Sequence, residues 1–111
     1  MATFTTSTID NVQLVEALGR LDTEGAPEMG ATLDHLLDEG NTRLILDLSG
    51  VDYMSSAGLR EMVRIFKRAR RDGGDLFLVN PSDRVITVMQ IAGLDTAVKI
   101  FPTRTAAMES F

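Results

Sequence analysis

At 111 residues and 12.1 kDa the chain has room for one domain of ordinary size, expected to span residues 1–111. Its 44% hydrophobic and 24% charged residues argue against wholesale disorder, and a net charge of −5 argues against direct nucleic-acid binding. With no cysteine and one histidine, His35, it lacks the means for disulfides, thiolate or multi-histidine metal sites, or a cysteine nucleophile.

Residues 1–4 read Met-Ala-Thr-Phe, without the basic and apolar regions of a signal peptide. Apolar runs such as Leu44-Ile45-Leu46 fall far short of the roughly 20 residues that span a bilayer. The expectation is a cytoplasmic protein with no membrane insertion, no cofactor and no enzymatic activity.

Phe4 to Ile9 is Thr-rich and polar, as an edge strand would be, and Asp10-Asn11 is a turn signal. Val12, Leu14, Val15, Ala17 and Leu18 predict a second strand that ends, bulged or twisted, near Gly19. Asp22-Thr23 ahead of Ala26-Pro27-Glu28 starts a helix with Met29, Leu33, Leu36 and Leu37 at helical spacing and Gly40 as its stop. His35 falls within it as a surface or boundary residue. Thr42 to Leu48 predicts a central strand covered on both faces, followed by a loop from Ser49 to Met54.

A long helix is expected from Ser56 to Arg71, with Leu59, Met62, Val63, Phe66 and Ala69 on one apolar face. Gly73-Gly74 stops it; a phosphate-cradling role is excluded by position, since such loops precede helices. Leu76–Val79 predicts a further strand, and Ser82-Asp83 caps a helix through Ile91 that ends at Gly93. Val98–Phe101 predicts the last strand, and Thr103 or Thr105 caps a final short helix. The order β-β-α-β-α-β-α-β-α specifies an α/β fold with a mixed, mainly parallel sheet of about five strands flanked by about four helices.

No G-x-S-x-G elbow, Walker loop or G-x-G-x-x-G fingerprint occurs. Asp47 and Asp52 are open to two readings, a hard-cation site or hydrogen bonding within the loop. The unusual stretch is Val51-Asp52-Tyr53-Met54-Ser55-Ser56-Ala57-Gly58-Leu59-Arg60, which follows a central strand at the end where α/β sheets carry functional loops. One serine suits a helix N-cap, but four small residues in succession also permit close approach of a partner. A phosphoserine there would meet free N–H groups and the positive end of the helix dipole, and would turn away a partner packed on the patch. Charge is divided along the chain: residues 1–52 carry ten acidic and two basic side chains, residues 53–111 six and nine. The basic excess, Arg60, Arg64, Lys67, Arg68, Arg70 and Arg71, reads either as a solvated helix face beside an acidic helix or as a docking surface for an acidic protein.

Leu44 to Leu59, with Gly19-Arg20-Leu21-Asp22 upstream and Ile91-Ala92-Gly93-Leu94 downstream, resembles STAS domains, especially the bacterial anti-sigma factor antagonists. The resemblance covers essentially the whole chain. It implies a protein that, unphosphorylated, binds a serine-kinase anti-sigma factor and so releases a sigma factor. Phosphorylation of a loop serine ends the association, and a PP2C-type phosphatase restores it. Aligned on Gly58-Leu59, the phosphoacceptor is Ser56, with Ser55 as a competing acceptor or the N-cap. Ser55 stands where the family has aspartate, and Ala57 where it has Ser or Thr. The resemblance places Asp22, Met54, Ser55, Ser56, Ala57, Gly58, Leu59, Arg60 and Arg64 at the partner surface. The alternative is a non-switching STAS scaffold, either stressosome-like or a transporter-associated subunit.

Overall fold

Asp10 and Asn11 both adopt positive φ, 50° and 66°, the backbone of a two-residue type I′ hairpin turn. They join β1 (Ala2–Ile9) to β2 (Val12–Leu21) in antiparallel register, Ile9 opposite Val12. This computed structural model describes residues 2–111. The chain continues through α1 (Gly25–Asp38), β3 (Arg43–Met54), α2 (Ser56–Arg71), β4 (Asp75–Val79), α3 (Asp83–Ile91), a 3₁₀ turn at Leu94–Thr96, β5 (Ile100–Phe101) and α4 (Arg104–Glu109).

The sheet order is β1-β2-β3-β4-β5, and every pair after the hairpin is parallel. Because each crossover steps in the same direction and is right-handed, α1, α2 and α3 must all fall on one face of the sheet. They do: Met29, Leu33, Met62, Ile65, Val85 and Met89 join Val15, Leu44, Leu46, Leu76 and Leu78 in one core. The opposite face is covered by α4 and the chain end. There Ala107 and Phe111 pack with Ile45, Phe77 and Val79, and Phe111 stacks on Phe77 at 4.0 Å. Burial on both faces explains the continuous apolar run Leu44–Leu46.

The caps of α3 and α4 fall at residues that the sequence offered. Ser82 Oγ accepts from Val85 N at 3.3 Å, and Thr103, rather than Thr105, accepts from Ala106 N at 3.1 Å. Asp22 starts α1 by accepting from the amides of Glu24 and Gly25 at 3.0 and 2.9 Å.

Four sequence expectations need correction. Residues 49–54 are not a loop but the second half of β3, held in register by β2: Leu18 faces Gly50, Arg20 faces Tyr53 and Leu21 faces Met54. Correspondingly β2 does not end at Gly19; it passes through that residue at φ 104° and two register shifts, then continues to Leu21. The inner face of α2 is Gly58, Met62, Ile65 and Ala69, whereas Leu59 and Phe66 are half-buried at its margin and Val63 is half-exposed. The last strand is confined to Ile100–Phe101, since only these two pair with β4.

Candidate functional site

Two segments 34 residues apart in sequence meet at the carboxyl end of β2 and β3. The carbonyl of Leu21 accepts two hydrogen bonds from Ser55, one from its amide at 2.8 Å and one from its hydroxyl at 3.0 Å. The same hydroxyl accepts from Gly58 N at 3.3 Å, making Ser55 the N-cap of α2. Gly58 sits so close to this junction that an added Cβ would lie 2.9 Å from Leu21 O and 3.0 Å from Met54 Cγ. Only glycine lets the first turn of α2 lie against the end of β2.

Ser55 is therefore occupied structurally, while Ser56 is different. It is the first residue of α2, exposed, and its hydroxyl makes no hydrogen bond within the described residues. The amides of Ser56 and Ala57 precede the first helical hydrogen bond, Leu59 N to Ser55 O, and so have no carbonyl partner within the helix. Ala57 and Leu59 are half-buried and Arg60 is exposed; Met54 is buried beneath them. Asp22 lies next to Leu21, so it borders the same end of the sheet. The amides of Gly25 and Glu24 hold its carboxyl below the usual range.

Arg20 joins this end as a residue the sequence reading did not assign. Its guanidinium stacks over Tyr53 at 4.3 Å and approaches Asp22 at 3.8 Å. The signal for it was the parallel register, which no local pattern in the sequence reveals.

The basic helix face resolves into two parts. Arg64 reaches across to Asp34 of α1 at 2.7 Å and also pairs with Glu61 at 2.8 Å; Arg68 pairs with Asp34 at 2.8 Å and with Asp38. Arg64, expected at the partner surface, is thus already bound to the acidic helix. The hydrogen bond from Arg64 leads in holding the Asp34 carboxyl below its ordinary value. Arg60 is left exposed on the same helix as Ser56.

No group of three His, Cys, Asp or Glu suited to a metal occurs among the described residues, Asp47 and Asp52 included. Asp52 is exposed. Asp47 is buried; it accepts from Ser49 N at 2.9 Å and Ser49 Oγ at 2.6 Å, and pairs with Arg104 Nε of α4 at 2.6 Å. Burial pushes its pKa up, but the Ser49 hydroxyl and amide and the Arg104 guanidinium outweigh that and hold it low. His35 is exposed and pairs with Glu39 at 3.3 Å, a surface histidine. No described helix is long and apolar enough to cross a membrane.

The chain is similar in sequence and fold to known proteins. Residues 3–107 match the STAS domain. The chain is 32% identical over 103 residues to BtrV of Bordetella bronchiseptica, covering 93% of this chain and 89% of that protein. It is 36% identical over 86 residues to the anti-sigma-B factor antagonist of Bacillus subtilis, covering 78% of each. The crystal structure of TM1081 from Thermotoga maritima superposes with a TM-score of 0.91 at 31% identity, over 96% of this chain and 92% of that one. On a match that spans nearly every element described above, the chain belongs to the STAS domain family, and its resemblance within that family is to the anti-sigma factor antagonists.

Proposed function

We propose that this protein is a phosphorylation-switched anti-sigma factor antagonist that works in the cytoplasm. Unphosphorylated, it binds a serine-kinase anti-sigma factor and frees a sigma factor. The kinase transfers the γ-phosphoryl group of ATP to Ser56 Oγ, releasing ADP, and the complex comes apart. A PP2C-type phosphatase hydrolyses the phosphoserine and restores binding. The protein acts as a binding partner and a substrate, not as a catalyst.

The observation that carries this reading is the division of labour between the two serines. Ser55 Oγ is tied to Leu21 O and Gly58 N, whereas Ser56 Oγ is exposed and free. Ser55 also answers the departure from the family pattern, because serine and aspartate are equally good N-caps. The helix keeps its cap without the usual carboxylate. A phosphate on Ser56, carrying about −1.5 to −2 charges, falls beside the free amides of Ser56 and Ala57, so the fold tolerates it. The surface of Ala57, Leu59 and Arg60 around it changes from small and cationic to bulky and anionic. A partner packed there loses affinity about tenfold for each 1.4 kcal/mol of steric and desolvation cost.

The test is intact-protein mass spectrometry after incubation with ATP and an anti-sigma-type kinase. One phosphate is expected on the wild type and on Ser55→Ala, none on Ser56→Ala, and no kinase binding by Ser56→Asp. Phosphorylation of Ser56→Ala at the wild-type level overturns the site. Stable kinase binding without any phosphate transfer indicates a non-switching scaffold instead.

A further inference from the structure

Leu59, Val63 and Lys67 follow one another down α2 at i, i+4 and i+8, a line of about 12 Å. With Ala92 and Leu94, which follow α3, they enclose an open groove of about 470 Å³. Its interior is apolar, and the charged residues that line it are all cationic. Ile91, just before Ala92, is 82% exposed. Leu59 and Val63 of α2 are thus only partly covered and leave apolar surface in the groove.

Not all of the cationic rim is available. Arg64 is bound to Asp34 and Glu61, but Arg60 and Lys67 are exposed and form no ion pair among the described residues. An apolar trough two turns long with free positive charge at its rim is complementary to one kind of segment. That segment is a helix with apolar residues at i, i+4 and i+7 and carboxylates flanking them. The acidic helix of a second copy, α1, does not supply it, because its apolar face is buried.

We propose that the groove between α2 and the segment after α3 docks an acidic amphipathic helix of a protein partner. This deepens the reading above and rests on it, because the groove starts at Leu59 and Arg60, which border Ser56. A peptide titration reads the groove without phosphate transfer, so its failure is distinct from a failure of the Ser56 assignment. The apolar positions supply burial, while Arg60 and Lys67 set orientation and association rate.

The experiment is a titration of the ¹⁵N-labelled full chain with a synthetic helix-forming peptide carrying leucines at i, i+4 and i+7 and glutamates on both flanks. Chemical-shift changes are expected along Leu59–Lys67 and Ala92–Leu94. The double reversal Arg60→Glu/Lys67→Glu, at two exposed positions, weakens binding about tenfold or more. Replacing the peptide's glutamates by glutamine provides an arm that leaves the protein untouched and also weakens binding. Shifts confined to other surfaces, equal affinity for the glutamine peptide, or self-association that fills the groove without peptide each overturn the proposal.

Discussion

Ser55→Ala removes a single oxygen that does two jobs. The hydroxyl caps α2 through Gly58 N at 3.3 Å and donates to Leu21 O at 3.0 Å. Loss of an N-cap costs about 1 kcal/mol. Loss of the second bond costs about 0.5–1 kcal/mol, at the low end because Leu21 O keeps the bond from Ser55 N at 2.8 Å and is not orphaned. The sum, about 1.5–2 kcal/mol, lowers the midpoint of thermal unfolding by about 6–9 °C for a domain of this size. Ser56→Ala removes an exposed hydroxyl with no partner, and its stability stays within about 0.5 kcal/mol of wild type.

Thermal melts and urea titrations of the two variants beside wild type make the comparison. The denaturant slope should be unchanged, so that the shift in midpoint reports stability alone. Two equal losses, or a larger loss for Ser56→Ala, would refute the division between a structural and a free serine. The same contrast bears on function: a phosphate on Ser55 removes the O–H that donates to Leu21 O and crowds the cap with Gly58 N, whereas one on Ser56 breaks no hydrogen bond among the described residues.

Gly58→Ala gains helix propensity but drives a methyl against Leu21 O and Met54, and a net loss of about 1–2 kcal/mol is expected in urea unfolding. Asp47→Asn removes the buried one of the two carboxylates paired with Arg104, Glu16 keeping its contact at 2.6 Å, and weakens the tie between α4 and β3, costing about 1–3 kcal/mol near neutral pH. The folded-state pKa of Asp47 is depressed, so its contribution is present above the ordinary carboxylate value of about 3.9 and is lost as pH falls below it. Stability measured from pH 7 to pH 3 should therefore converge for wild type and Asp47→Asn at the acid end. Arg64→Ala/Arg68→Ala removes the ion pairs between α1 and α2; these are partly exposed, so a small loss of stability is expected, shrinking as salt is raised during denaturant titration.

The sequence by itself determined the number and type of elements, because hydrophobic periodicity and punctuation by Gly, Pro and short polar residues act locally. The hairpin at Asp10-Asn11, the cap at Ser82 and the helix starting at Ser56 were all legible for that reason, whereas the choice of Thr103 over Thr105 as the last cap was not. The strand through Ser49–Met54 was not. Its Ser, Gly and Asp residues have poor strand propensity, and it is extended only because β2 lies alongside it in register. Nor could local pattern decide which serine caps α2, since both precede the same apolar helix. That depended on the carbonyl of Leu21, which reaches Ser55 only when β2 and β3 are paired. Charge told a similar story: the acidic front half and the basic helix could be counted, but the pairing of Arg64 and Arg68 with Asp34 required α1 and α2 to lie side by side. Asp47 shows the same limit most plainly, for Arg104 is 57 residues away. The net charge of −5 was fixed by composition; which cations remain free for a partner was decided only by tertiary contact, because pairing depends on distance in space and not along the chain.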